Sequence, residues 1–105
     1  MLNQIQVRVH GDSMWPTLKD GQIVDAIEQS DAKLGDIVVV KHPLKNATVI
    51  KRITRLDGNE MFIEGDNPDP LGSEDSHNFG TIPKSSIIAI ILNRHPFVLR
   101  PDGET

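Results

Sequence analysis

Four consecutive β-branched residues, Ile37-Val38-Val39-Val40, constrain this chain more than any other stretch. Such side chains lose rotamer freedom in a helix and pack well on a pleated surface. The run reads as a central strand. Around it the two-residue period of a half-buried strand recurs. Ile5, Val7 and Val9 alternate with Gln4, Gln6 and Arg8, and residues 22–28 and 47–56 read as further strands. Asp57-Gly58 is a strong hairpin signal before another strand at residues 60–64. Residues 87–92 supply the last strand. Helical periodicity is absent almost everywhere, so the expectation is an all-β, compact antiparallel core with little helix.

Composition narrows the rest. With 105 residues the chain is expected to form one domain, residues 1–105, around a single apolar core. Aromatic residues are 4% and there is no tyrosine, so Ile, Val and Leu must fill that core. A net charge of −4 argues against nucleic acid as a partner. The absence of cysteine excludes disulfides, thiolate metal sites and a cysteine nucleophile. The longest apolar run has six residues, against about 20 for a membrane-spanning helix. The N-terminus also lacks the basic and apolar regions of a signal peptide. We therefore expect a soluble, cytoplasmic protein with no membrane anchor. Residues 65–80 read as a long polar loop, a class that is often functional. Residues 93–105 include Pro96, Pro101 and a polar end, whose last few residues are expected to be loose.

Two residues stand out as chemistry. Ser13 lies where the first strand gives way to the turn Gly11-Asp12-Ser13-Met14-Trp15-Pro16-Thr17-Leu18. A serine hydroxyl there is exposed, and nearby backbone N–H groups are free to stabilise an oxyanion once a base activates the hydroxyl. The plainer alternative is that Asp12-Ser13 only caps the turn. Lys51 sits in the alternating stretch Thr48-Val49-Ile50-Lys51-Arg52-Ile53. If Lys51 shares a face with Val49 and Ile53, desolvation lowers its pKa and suits it to act as a general base. If Ile50 faces the core instead, Lys51 faces solvent, and the pattern allows either. In the long loop, Ser73 could orient Lys51 and Asp75 could brace the loop. Met14 and Trp15 are candidates to line a substrate pocket, with Trp15 as a plug for the core the alternative. His10, His42 and His77 show no metal-ligand spacing, so we expect no metal and no cofactor.

Taken together these stretches resemble the type I signal peptidases. Residues 11–18 resemble their Ser-Met-x-Pro-Thr-Leu box, and Ile50-Lys51-Arg52-Ile53 is similar to their Lys-Arg box. Gly65-Asp66-Asn67, followed by Ser73, Asp75, Ser76 and Gly80, resembles a third box. The resemblance implies a serine–lysine protease with Ser13 as nucleophile, Lys51 as general base and the Ser13 N–H at the oxyanion. It implies that Ser73 orients the lysine and that Asp75 is a structural acid. Gly11 stands where some members carry an oxyanion-donating serine, and a glycine has no such side chain. His77 stands where an arginine usually pairs with the acid. The wording of residues 12–18 and the absence of an anchor or a large extra β domain are most like the nickel-type superoxide dismutase maturation proteases. These remove a short N-terminal propeptide, so the implied partner is a precursor protein, nickel superoxide dismutase.

Two other functions fit less of the chain. A LexA-like self-cleaving regulator would share the serine–lysine chemistry, but the Ala-Gly or Cys-Gly bond such proteins cut is absent. A catalytically inactive peptide-binding β module would explain the altered third box at His77.

Overall fold

The computed structural model describes residues 2–68 and 74–92. Their strands are β1 (Gln4–Arg8), β2 (Ile23–Ile27), β3 (Ile37–Lys41), β4 (Thr48–Asp57), β5 (Glu60–Glu64), β6 (Ile82–Pro83) and β7 (Ile87–Ile91). All pair antiparallel in one sheet of order β1-β2-β7-β3-β4-β5-β6. The sheet is mostly built of the strands read from alternation, and the all-β expectation holds.

β3 lies in the middle of this order, between β7 and β4. Ile37 and Val39 join an apolar cluster that also holds Met14, Leu18 and Ala26. Val38 and Val40 join a second cluster with Ile53, Met61 and Ile63. The strand is therefore covered on both faces, which is why its run contains no polar alternate. The same double coverage settles the face of Lys51. Val49 packs against the second cluster and Ile50 against the first. Both faces of β4 are apolar here, so Ile50 and Lys51 are each sheltered, and Lys51 is only 4% exposed.

Two irregularities were hidden in the apolar runs. Val39 pairs with Ala89 but Val40 with Ile87, so Ile88 is the extra residue of a bulge and is 40% exposed. The bulge changes the phase of β7, sending Ile87 and Ile90 to one cluster and Ala89 and Ile91 to the other. Thr54 is skipped in the same way between the Ile53–Ile63 and Arg55–Phe62 pairs.

The stretch read as one long loop, residues 65–80, contains a four-residue helix, α1 (Ser76–Phe79). It is too short to show a period in sequence. Its N-cap is Asp75, whose carboxylate accepts from the His77 N–H at 3.0 Å. The Ser76 hydroxyl accepts from the Ile63 N–H at 2.8 Å and ties α1 to β5. Ser73, and the end containing Pro96 and Pro101, lie outside the described residues. Among the described residues no helix is long and apolar enough to cross a membrane.

Candidate active site

The connection from β1 to β2 is a turn pinned from below. Met14 and Leu18, 1% and 2% exposed, sink into the first cluster and leave Ser13 half-buried above them. The Trp15 N–H donates to the Asp12 carbonyl at 3.0 Å, and the Leu18 N–H to the Met14 carbonyl at 2.9 Å. Met14 is thus corrected from pocket wall to core anchor: the turn needs an apolar root, and Met14 supplies it. Trp15 is 51% exposed and neither plugs the core nor reaches the cleft described below. Gly11 takes φ of 83°, a left-handed conformation that favours glycine, while its N–H donates to the Asp20 carboxylate at 2.7 Å.

Residues 65–67 clamp this turn from the side. A Cβ on Gly65 would lie 2.5 Å from the Ser13 carbonyl oxygen, so only glycine allows the approach. The Asn67 N–H donates to that same carbonyl at 2.9 Å, and the Asn67 side-chain amide donates to the Asp12 carbonyl at 2.9 Å. Between them Asp66 accepts from the Thr17 hydroxyl at 2.6 Å and from Nε and Nη2 of Arg52 at 2.8 Å each. Burial opposes the Asp66 charge, but hydrogen bonds from Arg52 and Thr17 outweigh it and hold its pKa below the usual carboxylate range. Arg52 is raised in turn, chiefly by its hydrogen bonds to Asp66. Asp66→Asn is expected to lower stability by about 1–3 kcal/mol in urea unfolding at neutral pH. The gap from the wild type should close as pH falls through the lowered Asp66 pKa, because protonation removes the same charge.

The clamp holds Ser13 against β4. Lys51 Nζ donates to Ser13 Oγ at 2.9 Å, across 38 residues of sequence. The pair opens on a cleft of about 450 Å³ lined also by His10, Gly11, Asp12, Val49, Gly65, Asn67, Glu74 and Asp75. Burial lowers the Lys51 pKa, while the nearby charges of Asp75 and Glu74 act in the opposite direction. A neutral amine at this distance can take the hydroxyl proton, and the resulting alkoxide can attack a carbonyl carbon. Among the described residues nothing accepts from the Ser13 N–H, which leaves it available to an oxyanion. Asp75 is 6% exposed and engages His77 Nδ1 at 3.1 Å, while His77 Nε2 lies 3.6 Å from Glu64. Imidazole thus takes up the contact that the resemblance gave to an arginine.

Residues 3–91 match the sequence profile of the Peptidase S24-like family. The chain belongs to that family. It is also similar to signal peptidase I from two strains of Streptococcus pneumoniae, 37% identical in each case over 60 residues. The similarity covers 57% of this chain and 29% of each relative, so the chain spans less than a third of their length. For this Peptidase S24-like chain the structure brings together Ser13, Lys51, Gly11 and Asp75, leaves Met14 and Trp15 outside the cleft, and does not describe Ser73. Sequence reasoning missed the roles of Gly65, Asp66 and Asn67, although Gly65-Asp66-Asn67 had been singled out as a motif. It also missed Glu74, which carries no local signal.

Proposed function

We propose that this chain is a serine endopeptidase with a Ser13–Lys51 dyad that removes an N-terminal propeptide from a precursor protein. The observation that carries the reading is the 2.9 Å contact between a half-buried serine hydroxyl and a desolvated lysine amine at the floor of an open cleft. Neutral Lys51 takes the Oγ proton as Ser13 attacks the scissile carbonyl, and the Ser13 N–H receives the developing oxyanion. The protonated amine then gives its proton to the leaving amine, and a water activated by Lys51 hydrolyses the acyl-enzyme. The substrate would enter as an extended strand, since backbone pairing gives affinity without demanding a particular sequence. Nickel superoxide dismutase precursor is the proposed substrate, on the resemblance of residues 12–18 to the maturation proteases, and the cytoplasm is the proposed location.

Incubation with that precursor, read by intact mass, is expected to give one cut near its N-terminus. No cut by folded protein whose Ser13 still reacts with an acylating ester would overturn the substrate and leave the dyad. An unreactive Ser13 in folded protein would overturn both.

A further inference from the structure

His42 is the one buried histidine among the described residues, 4% exposed, and the dyad chemistry does not use it. It lies just beyond β3, with the ring of Phe79 from α1 edge-on at 5.0 Å. Its Nδ1 accepts from the Leu44 N–H at 3.0 Å. A neutral imidazole has one donor nitrogen, so the proton sits on Nε2. Nε2 then donates to Glu74 Oε2 at 2.9 Å, while the Lys45 ammonium holds Oε1. Two groups from the connection between β3 and β4 thereby fix a carboxylate in the wall of the Ser13–Lys51 cleft.

We propose that Glu74, held by His42 and Lys45, is a positioning residue that strengthens the grip of Lys51 on its proton and so sets the lower pH limit of the dyad. The proposal rests on the serine–lysine reading. A carboxylate that swung freely into solvent would spend its charge on water. One tethered at both oxygens keeps its charge at a fixed place in the wall of the cleft that Lys51 lines, screened by solvent only in part because it is half-exposed. Its charge opposes the burial that would otherwise strip Lys51 of its proton. Glu74 itself stays ionised: its pKa is lowered by the hydrogen bond from Lys45 and then by that from His42. Among the described residues the other groups facing this centre are Asp75, backed by His77 and Glu64, and His10 and Asp12 in the cleft wall. Arg52 is turned away toward Asp66. Asp75 shares the effect on Lys51, but it also caps α1, so Glu74 is the group that can be changed without disturbing a helix end.

The test is Glu74→Gln, which keeps the size and the hydrogen-bonding reach of a half-exposed side chain. The Lys51 titration is followed by the ¹³Cε shift of labelled lysine, and Ser13 acylation by p-nitrophenyl acetate is followed against pH with peptide mapping of the acetylated residue. We expect the Lys51 midpoint to move to lower pH and the acid limb of Ser13 acylation to move with it, making the variant faster than wild type on that limb. His42→Ala should move both in the same direction by freeing the carboxylate, and His42→Gln, which retains an N–H donor, should restore them toward wild type. An unchanged Lys51 midpoint in Glu74→Gln overturns the proposal. A midpoint that falls while Ser13 acylation stays where it was overturns instead the dyad reading on which the proposal rests.

Discussion

Ser13→Ala and Lys51→Met should each lower the rate of substrate cleavage by at least about 10⁴-fold, the scale on which hydrolases lose activity when nucleophile or base is removed. Double substitution should cost little more than either single one, because in the proposed mechanism the two groups act as a unit. The variants part company in stability. Ser13→Ala removes one hydroxyl at a half-buried turn and should leave the unfolding midpoint nearly unchanged. Lys51→Met replaces a desolvated amine by an apolar chain of similar length, and should stabilise the fold by roughly 1 kcal/mol near neutral pH.

That gain has a defined pH dependence. Burial lowers the Lys51 pKa in the folded protein from its ordinary value of 10.5. The unfolded chain therefore holds the proton more tightly, and below the folded pKa the wild type bears the full cost of a buried ammonium. As pH rises from the folded pKa toward 10.5 the cost is relieved and wild-type stability climbs. The advantage of Lys51→Met should be greatest on the acid side and narrow with rising pH. Urea unfolding of both proteins across that window checks it, and a gap that widens toward alkaline pH would contradict a desolvated lysine.

Gly65→Ala is the second large effect. The added Cβ would lie 2.5 Å from the Ser13 carbonyl oxygen and 3.4 Å from its carbonyl carbon. The first is a backbone atom that cannot rotate aside. Either residues 65–67 or the Ser13 turn must retreat, and the Asn67 hydrogen bonds to the turn stretch with them. We expect about 1–3 kcal/mol of lost stability from the overpacking. Cleavage should also fall by about 10²-fold, as a displaced nucleophile loses its line of attack. Wild-type turnover in a folded Gly65→Ala protein would mean that the clamp does not position Ser13.

The fold was legible where local pattern and tertiary role agree. Ile37 to Val40 read as a central strand because a strand covered on both faces needs apolar side chains at every position. The bulge at Ile88 was not legible, since an extra isoleucine within an isoleucine run changes no pattern, and only pairing with Val39 and Val40 reveals it. Helix α1 escaped because its signal is a cap and one turn. At the site, the sequence singled out Ser13 and Lys51 by their surroundings, and the structure places them in contact. Met14 was misread because it neighbours the serine in sequence, while its side chain leaves the turn on the opposite side. Nothing local marks the contact between Glu74 and His42, which spans 32 residues and forms where Phe79 of α1 meets the His42 ring.

The two apolar clusters give the contact between Ser13 and Lys51 a thermodynamic consequence. Ser13 is rooted through Met14 and Leu18 in one cluster, whereas Lys51 is flanked by Val49 and Ile53, which belong to the other. Ser13 and Lys51, the proposed nucleophile and base, are therefore rooted in two different clusters, which meet across the middle strands. Their contact survives only while those clusters stay docked. The hydrogen bond between them acts as a coincidence detector for the whole sheet, formed when both halves are in place and lost when either loosens.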